Sequence, residues 1–110
     1  DAVADAIAQH EGLTLDAPLS PLAAAILWDA DKLAKLGATG DLHFLAAGFS
    51  LRPTTQETAE DQRRWTEDIA ARTAASMNTA PARAEAARRL EATRAWNAAL
   101  RRELSLGSTT

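Results

Sequence analysis

The segment Trp28-Asp29-Ala30-Asp31-Lys32-Leu33 sets two carboxylates and an ammonium group inside a stretch otherwise made of leucine, isoleucine and alanine. Carboxylates are ligands for hard divalent ions, and with imidazole they suit magnesium, manganese or iron. A carboxylate on an apolar helix face is costly unless it is paired, hydrogen-bonded or bound to a metal. Asp29 and Asp31 lie about 200° apart around a helix, so simple chelation of one ion by both is excluded. One can be a ligand while the other supports it or faces water. Equally, one can be solvated and the other paired with Lys32, Lys35 or an arginine. Val3, Ile7 and His10 fall at i, i+4 and i+7, a spacing that directs His10 toward the core. His43 falls in a short helical pattern and reads as a surface residue. The two histidines and nearby acids match no zinc spacing such as His-Glu-x-x-His.

Other chemistries are absent from the 110 residues. There is no cysteine, hence no disulfide, thiolate metal site or thiol nucleophile. Phosphate-binding glycine loops and the Gly-x-Ser-x-Gly elbow are missing. No apolar run is long enough to span a membrane, and no signal or transit signature appears, so a cytoplasmic location is expected. The net charge of −3 argues against nucleic acid as a partner. That charge is unevenly spread: seven acids and two lysines in residues 1–51, ten arginines and eight acids in residues 52–110. Neighbours such as Glu85 and Arg89, or Glu91 and Arg94, read as solvated helix faces that neutralise themselves.

The elements that must carry these residues are helices. The chain has 27 alanines and few β-branched aliphatics, namely Val3, Ile7, Ile26 and Ile69. Alanine favours helix and strands favour β-branched residues, so the fold class is all-α. A single domain is expected at this length. The periodicity predicts a first helix over residues 2–10, stopped near Gly12. A second starts at Ser20 as cap with Pro21 in the first turn and runs to Leu36, where Gly37 ends it in a left-handed turn. It carries the rows Leu22, Ile26, Asp29, Leu33, Leu36 and Leu27, Asp31, Ala34. A third, short helix holds Leu42, Leu45 and Phe49, before the break at Leu51-Arg52-Pro53. Thr54 and Glu57 form a capping box for a long helix to about Met77, with Trp65, Ile69 and Ala70 inward. Asn78-Thr79-Ala80-Pro81 opens a last helix to about Leu104, with Trp96, Leu100 and Leu104 spaced by four and a frayed tail after Gly107.

The run from Ile26 to Gly40, ILWDADKLAKLGATG, resembles the Asp-Ala-Asp-[Arg/Lys]-Leu-x-x-Leu-Gly-Ala-x-Gly segment of HD-domain metal-dependent phosphohydrolases. Ala6-Ile7-Ala8-Gln9-His10 is similar to the Ala-Ile-x-x-His helix that precedes it. Met77-Asn78-Thr79 and the Ala/Arg-rich helix after it are similar to the closing helices of that family. The resemblance implies an HD-domain-like bundle of about five helices and a divalent metal cofactor (manganese, magnesium, iron or similar). It also implies hydrolysis of a small phosphorylated substrate, with a nucleotide the expected class. The family's ligands are a His, an adjacent His-Asp pair and a later Asp. The later Asp matches Asp31, whereas periodicity points first to Asp29. The resemblance implies a catalytic role for His10 near metal or phosphate and substrate-binding roles for Lys32 and His43. The His-Asp pair and the earlier His are not in this sequence, and the resemblance places them upstream of Asp1. These residues would then carry part of an active site. The alternative is a catalytically incompetent HD-like interaction or regulatory module. Apolar faces left uncovered would drive homo-oligomerisation or association with the missing N-terminal segment.

Overall fold

Helices account for all the regular structure that a computed structural model of the chain describes, which covers residues 1–9, 12, 15, 21–48, 51 and 54–108. Among these residues there is no strand. Helix α1 spans Ala2–Gln9, α2 spans Leu22–Leu33 and α3 spans Gly37–Gly48. Helix α4, Thr55–Arg64, runs directly into a π-helical segment at Trp65–Ala70 and then into α5, Ala71–Ala75. Helix α6, Ala80–Ser108, completes the bundle. With α4, the π-helical segment and α5 taken as one rod, the described residues form five helices, the number that the sequence periodicity predicts.

Helix α6 is the central post: α2, α3, α4, α5 and the π-helical segment all pack on it, while α1 packs on α2. One buried cluster joins Leu36, Ala70, Met77, Ala82, Ala86 and Leu90, flanked by Leu33, Trp65, Ala71 and Ala74. Six of the ten buried hydrophobic residues are alanine, so the helices approach closely and much of the cohesion is short-range packing. Polar groups fill part of the same space. Gln62 Nε2 donates to Asp41 Oδ1 at 2.8 Å, and Thr93 Oγ1 donates to the same carboxylate at 3.2 Å, tying α3, α4 and α6 together. Burial pushes the Asp41 carboxyl above its ordinary range, against the opposing hydrogen bonds from Thr93 and Gln62.

Local signals in the sequence explain most boundaries. Thr54 and Glu57 form the capping box: Glu57 N–H donates to Thr54 Oγ1 at 3.1 Å and Thr54 N–H to Glu57 Oε2 at 3.2 Å. Gly37 has φ 70°, the left-handed conformation expected of it. The stop comes sooner than predicted, however. Helix α2 ends at Leu33, three residues form the turn, and Gly37 already opens α3. Helix α6 holds this turn, because Arg89 Nη1 donates to the Leu33 carbonyl at 2.7 Å and Gly37 N–H donates to Thr93 Oγ1 at 3.0 Å. Pro21 stands at the cap position rather than in the first turn. Ser20, Phe49, Arg52 and Pro53 lie outside the described residues.

Three packing expectations change. The α1 face of Val3 and Ile7 is exposed, at 69% and 53%, and does not enter the core. Its neighbour α2 buries Ala24, Ala25, Trp28 and Asp29 but leaves Leu22 and Ile26 exposed. Helix α6 buries Ala82, Ala86, Leu90, Thr93 and Asn97, and Trp96 lies on the surface. Helix α6 also continues past Leu104 to Ser108.

Candidate functional site

The two acids of the Asp-Ala-Asp segment have different surroundings. Asp29 is 4% exposed and faces the start of α6. Its Oδ1 accepts from Asn78 N–H at 2.8 Å and Asn78 Nδ2 at 3.1 Å. Its Oδ2 accepts from Thr79 N–H at 2.9 Å and Thr79 Oγ1 at 2.8 Å. A carboxylate here satisfies backbone donors that a helix start leaves unpaired and opposes the positive end of the α6 dipole. The sequence marks Asn78-Thr79 as a helix start. It gives no sign that the capping carboxylate comes from a residue about fifty positions earlier.

Asp31 lies on the other side of α2, with its side chain 34% exposed. Lys32 Nζ donates to Asp31 Oδ2 at 2.6 Å, and Lys35 Nζ lies 3.3 Å from the same oxygen. The hydrogen bond from Lys32, assisted by Lys35, holds the Asp31 carboxyl below its ordinary range, against an opposing push from burial. Lys32 is itself 2% exposed, with its ammonium 4.4 Å from the centre of the Trp28 ring. Trp28 Nε1 in turn donates to Ser76 Oγ at 3.0 Å. Asp31 and Lys32 therefore form an ordered charged pair with an aromatic floor. Lys35, 34% exposed, is the more accessible of the two cations.

Of the histidines, His43 is exposed on α3 and shares a groove with Lys35. His10 lies outside the described residues. Arginines elsewhere are largely paired along their own helices. Arg89 Nε meets Glu85 at 2.8 Å, and Arg63 bridges Glu60 and Glu67, both at 2.6 Å.

Among the described residues, no three His, Asp or Glu side chains are grouped closely enough to hold a metal ion. Both Asp29 oxygens are engaged by the α6 cap, which leaves Asp31 as the accessible carboxylate of the segment. A tightly held divalent ion needs several oxygen ligands, so the described residues do not make such a site by themselves. No helix among the described residues is long and apolar enough to cross a membrane. No family model, curated protein or solved structure matches the chain.

Proposed function

We propose that this chain contributes one carboxylate, Asp31, and the neighbouring cation Lys35 to a divalent-metal phosphohydrolase site of the HD type, with the remaining ligands supplied from outside the described residues. The observation that carries this reading is the division of labour between the two acids. Asp29 is fully engaged in capping α6, while Asp31 stays ionised and accessible at the surface beside two lysines. The substrate class is a small phosphorylated molecule such as a nucleotide. Lys35 meets its phosphate oxygens as a point charge, and Lys32, buried against Trp28, orients Asp31.

The test is paramagnetic broadening. Substoichiometric manganese is added to the isotope-labelled chain and amide signals are followed by nuclear magnetic resonance. Broadening centred on residues 30–32 and abolished by Asp31→Asn is expected. Broadening centred on the acids of α4, or unchanged in Asp31→Asn, overturns the reading.

One observation favours a second reading, a helical interaction module. Val3 and Ile7 on α1 and Leu22 and Ile26 on α2 are exposed at between 53% and 69%, and apolar helix faces of this kind drive pairing. A second copy of the chain is the partner that this reading names. Sedimentation across a concentration series, with Leu22→Glu as control, checks it: a monomer at every concentration rules self-association out.

A further inference from the structure

A groove of about 430 Å³ lies between α3 and the π-helical segment, within the range of small-molecule pockets. Phe44, Gly48 and Trp65 form its apolar walls, and Lys35 and His43 stand in its lining. Among the described residues that line it there is no carboxylate. The two rings lie 6.2 Å apart between centroids and are tilted by 34°, a packed pair that presents one aromatic wall.

The backbone is specialised on both sides. Trp65 opens the π-helical segment, in which Ala71 N–H reaches back five residues to the Thr66 carbonyl. A π turn is a rare departure from the α-helix and recurs at functional sites. Across the groove, Gly40 sits so close to the preceding turn that a Cβ there would be 2.2 Å from the Lys35 carbonyl oxygen. This close approach sets Lys35 beside α3. An ammonium has three protons to donate. The contacts from Lys35 to Asp31, 3.3 Å to Oδ2 and 3.5 Å to the carbonyl, are both long.

We propose that this groove binds the aromatic end of an anionic small molecule, with Lys35 and His43 taking its charged group. Apolar walls select a planar ring, and the Lys35 ammonium, with no acid among the described lining residues, selects an anion. The inference deepens the reading given above and rests on it for the identity of the anion as phosphate. The groove places the aromatic body of the substrate over Phe44 and Trp65, and its phosphate toward Lys35.

The experiment titrates the isotope-labelled full chain with phenyl phosphate, inorganic phosphate and phenol, without metal and with a chelator present. Amide shifts of Gly40, His43, Phe44 and Gly48 are followed. Phenyl phosphate is expected to bind about tenfold tighter than either half alone. Lys35→Ala should weaken it by about fivefold, and Ala47→Trp should remove it by filling the groove. Equal affinity for phenyl phosphate and inorganic phosphate, or shifts confined to the α1–α2 face, overturns the proposal. Manganese broadening tests Asp31 separately. Groove binding without Asp31-dependent broadening retains the aromatic-anion site and removes the phosphohydrolase reading. The converse result removes the groove proposal alone.

Discussion

Replacing Asp29 by asparagine separates a capping role from any role in chemistry. The carboxylate accepts four hydrogen bonds, two on each oxygen. Asparagine keeps one oxygen and presents an NH₂ group to the other pair of donors. Two charge-assisted bonds are lost, each worth about 1.5 kcal/mol. The favourable charge at the α6 N-terminus, worth about 0.5 kcal/mol, goes as well. The expected loss is about 3.5 kcal/mol, a drop in melting temperature of roughly 15 °C for a chain of this length. Asp31→Asn is the matched control. It sits two residues away, it is partly exposed, and its amide oxygen still accepts from Lys32, so it should cost about 0.5 kcal/mol. Urea and thermal unfolding followed by circular dichroism at the helical band measure both. Asp29→Asn within about 1 kcal/mol of the parent, or Asp31→Asn costing as much as Asp29→Asn, would refute the assignment.

Three further outcomes follow from the packing. Gly40→Ala should destabilise the fold by about 3 kcal/mol in urea, since its methyl group meets backbone and not a movable side chain; a neutral result would mean that the turn at Lys35 adjusts freely. Asp41 has its native carboxyl pushed up by burial, so the stability it lends is present in acid and lost as pH rises through its native range. Asp41→Asn should therefore be more stable than the parent at pH 7 and equal to it near pH 3, and a less stable variant at pH 7 would show that the cluster with Gln62 and Thr93 needs the charge. Thr54→Ala removes the capping box of α4 and should cost about 1 kcal/mol, with the amide exchange of residues 55–58 as the local readout.

The helical class, the five-helix count and the start signals were legible because they are local. Thr54-x-x-Glu57 states its own cap, Gly37 its own left-handed turn, and Asn78-Thr79 the start of α6. The packing faces were less legible. Val3 and Ile7 look like core from their spacing, yet they lie outside, because spacing assigns a helix face without naming what covers it. The roles of Asp29 and Asp31 depend on partners far along the chain. Asn78 and Thr79 engage Asp29 across 49 and 50 positions. Helical period alone therefore points to Asp29 as the notable acid, and the matching motif residues point to Asp31. The π-helical segment had no visible signal either. Thr66 Oγ1 donates from it to the Gln62 carbonyl of α4 at 2.8 Å, and threonines that bond back along a helix bend it. That contact becomes meaningful once the helix has a neighbour.

The alanine-lined core has a thermodynamic consequence. The heat-capacity change of unfolding scales with the apolar surface uncovered, offset by the polar surface uncovered with it. A core in which methyl groups replace leucine and phenylalanine, and in which Gln62, Thr66, Thr73 and Thr93 are buried beside them, uncovers less of the first and more of the second. The stability curve of this chain should therefore be broad. Its stability should change little between cold and warm conditions, and a urea slope low for its length is the expected reading. The same bundle filled with larger side chains would be more sharply tuned to one temperature.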